Sequence, residues 1–185
     1  MAEAFSNKLA RAVGVVSTSS AGTIGPLSNL ITGVSTTGLT AGDLVDNVHY
    51  IAGTKILNFG TAASQVVCDR DSTNTAAANS QNVKFLTKSD VYQSGGAIKS
   101  IIIGGTFANL TESSIQVSVE VYDNSAAGTA NSTSLLASDI PIPAGSSFVI
   151  SEAGKTVIEQ DDQVRVYCDT ANAVDVNLAI LSGVS

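Results

Sequence analysis

Period-two alternation over nine residues constrains this chain more than any other feature. In SIQVSVEVYD, Ile115, Val117, Val119 and Val121 alternate with Ser114, Gln116, Ser118, Glu120 and Tyr122. Successive side chains of a strand point to opposite faces, so this run reads as a strand with one face buried. QVRVYCD repeats the pattern with Val164, Val166 and Cys168, and AVDVNLAIL repeats it with Val174, Val176, Leu178 and Ile180. AIKSIII (97–103), SSFVIS (146–151) and KTVIE (155–159) add shorter apolar runs. The turn DNSAAGTANST (123–133) and the loop PIPAG (141–145) punctuate them, and Pro141 and Pro143 are barred from central strands. Several strands at regular spacing with turn signals between them predict an antiparallel sandwich or barrel.

The N-terminal half carries weaker strand signals. Candidates are residues 13–18, 30–36, 43–50, 54–59, 65–69 and 82–86, with glycines 33, 38, 42, 53 and 60 at the bends. The small polar stretch 71–81 reads as a loop, and the polar LTKSDVYQSGG near 86–96 as a boundary. Residues 3–12 offer the one helix pattern, since Phe5, Leu9 and Val13 fall at i, i+4 and i+8 with Lys8 and Arg11 off that stripe. A helix this short is marginal alone, so it must dock on its own domain or lie as an arm on a neighbour. The expected architecture is all-β: an arm or short helix (1–12), a small β module (13–90) and an antiparallel sandwich (91–185).

Composition agrees with that architecture. Ser and Thr number 41 among 185 residues, charged residues make up 14%, and Trp is absent. Disorder needs low hydrophobicity with high net charge, and here the hydrophobic share is 44%. The net charge of −7 argues against a nucleic-acid partner, which calls for clustered Lys and Arg. The charge is uneven. Residues 1–99 hold 7 basic and 6 acidic groups, whereas residues 100–185 hold 2 and 10, which suggests surfaces with different duties. No run of 18 apolar residues is present, so no membrane partner is expected, and residues 1–16 do not read as a signal peptide. Cys68 and Cys168 sit in apolar runs and read as buried free thiols, with a disulfide as the alternative.

Chemistry-bearing constellations are sparse. The single histidine, His49, would need Cys68 and the fold's help to make a nucleophile–base pair. Asp69, Asp71 and Thr73 imitate the start of a calcium loop, but Asn74 stands where Gly is needed and Ser80 where the bidentate Glu belongs. Glu159, Asp161 and Asp162 form a second acidic cluster that reads as a turn. The sequons at Asn109 and Asn131 are three-residue matches with little weight. No catalytic residue, cofactor or metal is expected. The expected partner-binding residues are Phe5 and Leu9, with Lys8 and Arg11 beside them.

Three stretches carry a resemblance. GVSTTGLTAGDLVDNVHYIAGTKILNFG (33–60) resembles a short β motif recurring in phage virion proteins and in some bacterial surface proteins. Residues 140–182 are similar to the C-terminal half of small structural proteins of tailed phages, notably those of marine cyanobacteria. Pro141–Ser147, Asp162–Val166 and Asp175–Ile180 fall at that pattern's P-I-P-A-G-S-S, acidic turn and closing strand. The opening AFSNKLARAVG resembles the A-F-x-N-K-L-A-x-x-V-G start of such proteins, and together the three cover about half of the chain. Gln160-Asp161-Asp162 departs from the usual Gly-Asp, and the loop 123–134 is of free length. The resemblance implies a non-enzymatic structural protein of the virion, first of all a capsid decoration (cement) protein. Its partners would be the major capsid protein or other virion proteins, and it would form a homo-oligomer, with a trimer one arrangement. A neck, tail or fibre-attachment component is the alternative within that class. A glycan-binding adhesin is the alternative outside it, with Tyr92, Phe107, Tyr122, Phe148 and Tyr167 as its candidate aromatic platforms.

Overall fold

The computed structural model describes residues 3–124, 132–150 and 156–184. Every regular element among them is a strand, and the sheets are built from antiparallel ladders. Residues 125–131 of the expected turn 123–133, with the Asn131 sequon, lie outside the described residues, as do Ser151 and Lys155 at the ends of two expected strands.

The chain forms two compact units. One comprises residues up to Val13, Ser89–Tyr167 and the residues from Ala173 onward; the other comprises Gly14–Lys88 with Cys168–Asn172. The first unit holds two sheets. One runs β1 (Ala4–Val13), β15 (Val174–Val184), β9 (Lys99–Asn109), β12 (Ser147–Ile150), with β13 (Thr156–Ile158) also on β9. The other runs β11 (Ser132–Ile142), β10 (Ile115–Asp123), β14 (Gln163–Cys168), β8 (Ser89–Gln93). Their alternating residues supply the sandwich core: Val117, Val119, Val164 and Val166 from one sheet, Phe107, Val176, Leu178 and Ile180 from the other, all 2% exposed or less. Phe107 stacks on Phe148 with ring centroids 5.8 Å apart. The sandwich expected from the alternation is the fold observed.

The second unit is a six-stranded sheet: β4 (Leu44–Asp46), β7 (Ala78–Thr87), β2 (Val15–Ile24), β3 (Leu30–Thr32), β6 (Gln65–Cys68), β5 (Ile56–Phe59). Its core gathers Ile24, Ile31, Val66, Cys68, Val83 and Phe85, all fully buried.

Several strands differ from the sequence expectation, among them β8, which forms within the polar stretch 86–96 read as a boundary. Residues 4–13, read as a helix or arm, form strand β1 on the C-terminal strand β15, from Ala4↔Ser182 to Ala10↔Val176. The reason is arithmetic: a spacing of four is also a whole number of strand repeats, so Phe5 and Leu9 share a face in either structure. The neighbouring β15 then supplies backbone partners that an isolated helix would have to find within itself. β7 begins at Ala78, inside the expected loop. β11 runs through Pro141, which is tolerated because β11 is an edge strand and needs partners only along β10.

Candidate partner-binding edge

β1 lies at the end of its sheet, so one flank pairs with β15 and the other is free to take a further strand. Pairing with β15 also sets which side chains face outward. Val174, Val176, Leu178 and Ile180 point into the core, leaving Asn177, Ala179 and Leu181 on the outer face. Residues directly opposite one another share a face, so Phe5 (opposite Leu181) and Leu9 (opposite Asn177) are turned outward. Phe5 is 77% exposed and Leu9 69%. Arg11 is exposed too, at the bulge just past the regular ladder.

Lys8 is on the other face. It stands opposite buried Leu178, and its ammonium lies 5.8 Å from the centre of the Tyr92 ring on β8. The Tyr92 hydroxyl is in turn 2.6 Å from Ser100 Oγ. The structure therefore brings Phe5 and Leu9 together on the outer face, leaves Arg11 exposed at the bulge beyond them, and gives Lys8 a different position. There its stem covers the rim of the sandwich and its charge meets an aromatic face.

The outer face extends beyond β1. Phe5 stands opposite Leu181, Leu181 opposite Ile101, and Ile101 opposite Val157, an apolar row crossing four strands. A second row joins Leu9, Asn177, Thr106 and Val149. Val149 and Val157 are half exposed or more. Sequence reasoning missed this surface. The parity of each short run was readable, but the cross-strand register that aligns Phe5 with Val157 was not.

The other constellations are engaged in structure. Cys68 is fully buried in the same core cluster as Tyr50, whose hydroxyl donates to the Ser28 carbonyl at 3.1 Å. Burial pushes the Cys68 thiol up to about 12, and burial does the same for Cys168. Both cysteines are free. A thiol held protonated in this way is a poor nucleophile. His49 uses its backbone in a turn, its N–H donating to Asn47 Oδ1 and its carbonyl accepting from Thr73 N.

Asp69 Oδ1 accepts the Lys55 amide. Asp162 accepts the Asn124 amide on one oxygen and the Glu159 amide on the other, while Glu159 pairs with Lys99 at 3.0 Å. These carboxylates tie turns together. Among the described residues no three His, Cys, Asp or Glu side chains are grouped to hold a metal ion.

Asn109 is equally committed. Its side-chain nitrogen donates to the carbonyls of Ser113, Ile142 and Pro143, and its Oδ1 accepts from Thr111 N and Oγ1. The amide that would carry a glycan is thus spent inside the fold.

The candidate aromatic platforms are occupied too. Phe107 and Tyr167 are buried, Phe148 packs on Phe107, and the Arg165 guanidinium lies 3.6 Å from the centre of the Tyr122 ring. On the six-stranded sheet a cavity of about 230 Å³ is lined by Ala21, Gly22, Thr23, Thr32, Gly33 and Ser80, which supply only small side chains and backbone.

Comparison of the chain with protein-family models, with curated proteins and with solved structures yields no match.

Proposed function

We propose that this chain is a non-enzymatic structural protein of a tailed-phage virion, and that it decorates the capsid by bridging neighbouring shell subunits. The observation that carries the reading is the exposed outer face of the β1 sheet, with its apolar row from Phe5 to Val157 ending at a free strand edge. Exposed apolar rows on a rigid sheet are surfaces for other proteins. The resemblance of residues 33–60 and 140–182 to virion proteins supplies the class of partner, the major capsid protein or another virion component. An adhesin is favoured less, because the rings it would present are already packed or stacked.

Quantitative mass spectrometry of purified particles tests the assignment. Copy number comparable with that of the shell protein is the expected result. A small fraction of that number would move the chain to the neck or tail, and its absence from particles would overturn the virion reading.

A further inference from the structure

Glu3, Phe5, Asn7, Leu9 and Arg11 are all exposed; Phe5, Asn7 and Leu9 share the outer face of the regular ladder, Glu3 and Arg11 flank it, and their order is self-complementary. Let a second copy of β1 lie antiparallel to the first, with Asn7 opposite Asn7. Phe5 then stands opposite Leu9 and Glu3 opposite Arg11, and each pair occurs twice. On the other face Ser6 meets Lys8 and Ala4 meets Ala10. No like charges face each other. Moving the centre by one residue loses this: centred on Lys8 the two ammonium groups oppose, and centred on Ser6 the Glu3 carboxylate faces Leu9.

The backbone agrees with the centred register. Even residues meet even and odd meet odd, so whichever set of N–H and C=O groups faces outward finds its counterpart. The regular ladder, Ala4 to Ala10, is itself centred on Asn7, and the Glu3 and Arg11 charges flank it just outside, Arg11 at the bulge between Ala10 and Val13.

We infer that β1 is the twofold interface of a homodimer, in which the two β1 strands pair antiparallel about Asn7 and join two sheets into one. The apolar row Val157–Ile101–Leu181–Phe5 then continues onto Leu9 of the second copy. A twofold contact uses the same patch on both partners, which is what a self-complementary strand provides. The inference shares with the functional reading only the idea that β1 is an association surface.

Cross-linking of the full-length chain gives the first test. Opposed residues of an antiparallel pair have Cα atoms about 4.5–5.5 Å apart, within disulfide reach. Asn7→Cys should therefore oxidise to a covalent dimer, while Ser6→Cys, placed opposite Lys8, should lag well behind. The native Cys68 and Cys168 are buried and add little background.

Sedimentation then tests the charges. Arg11→Glu should weaken association at least about tenfold by setting two carboxylates against each other at both ends. Adding Glu3→Arg should restore it, with circular dichroism unchanged throughout. Equal cross-linking at positions 6 and 7, or dissociation unaffected by Arg11→Glu, would overturn the inference. Particle incorporation is scored separately: a dimer absent from particles would sink the virion reading alone, and a monomer abundant in them would sink the dimer alone.

Discussion

At the scale of single residues, the fold is most sensitive where a side chain or its absence has no substitute. Gly14 has φ +99°, and a Cβ there would sit 2.1 Å from the Thr170 carbonyl oxygen. Backbone cannot yield as a side-chain tip can, so Gly14→Ala should cost about 2–4 kcal/mol in urea unfolding with an unchanged m-value. Asn109 closes five hydrogen bonds onto two loops. Its replacement by Ala orphans buried carbonyls and should cost about 2–4 kcal/mol in the same assay. The two thiols set a pH limit. Burial raises Cys68 and Cys168 from 9.0 to about 12, so their stabilisation is complete below pH 9 and is lost as pH climbs from 9 toward 12. Across that window the unfolded chain ionises its thiols while the folded chain keeps them protonated. Urea midpoints should therefore fall between pH 9 and 11, and Cys68→Ala should make the fall shallower. Neither the Asn109 network nor the Gly14–Thr170 approach was legible beforehand, since each depends on residues far apart in sequence.

At the scale of strands, β1 separates association from stability. Phe5 and Leu9 bury little in the single chain, so Phe5→Ser or Leu9→Ser should change unfolding free energy by no more than about 0.5 kcal/mol. Phe107, fully buried one sheet position from Phe148, should cost about 3–5 kcal/mol on truncation to Ala. A stability profile in which Phe5 mattered as much as Phe107 would contradict the exposed placement of β1. Deleting residues 1–12 is a poor probe of partner binding, because it also strips β15 of its backbone partner along Ala4–Ala10. Point substitutions on the outer face leave the ladder in place. The strands with clean alternation, β10, β14 and β15, were readable from sequence because the core takes an apolar side chain at every second residue, although in β10 the other face is covered as well, with Ser118 and Glu120 each 1% exposed rather than turned to solvent. β1, β8 and β11 were not, since edge strands bury less and tolerate Ser, Lys and Pro.

At the scale of the whole chain, the connectivity governs how folding proceeds. The chain leaves the sandwich unit after Val13, builds the six-stranded unit, and returns at Ser89. β1 can pair only when residues 4–10 find 176–182, near the far end of the sequence. Contacts this distant close slowly, so refolding should take milliseconds to seconds or longer. Amide protection in β1 should appear no earlier than in the local β10–β11 pairing, as followed by pulsed hydrogen exchange. The acidic excess found beyond residue 100 falls mainly in the sandwich unit, including the Glu159–Asp162 turn, in which Asp162 caps two backbone amides and Glu159 pairs with Lys99.

By itself the sequence determined that this chain is β-structured, where its best strands lie, that Cys68 and Cys168 are buried, and that Phe5 and Leu9 share a face. These follow from local chemistry, because a strand with one buried face must alternate and a small thiol in an apolar run packs as a hydrophobe. Only the tertiary structure decided that residues 4–13 are a strand, that β1 borders β15, and that Phe5, Leu181, Ile101 and Val157 stand in one row. Those are matters of register between distant segments. Register depends on which strand becomes the neighbour, and no local periodicity encodes that choice.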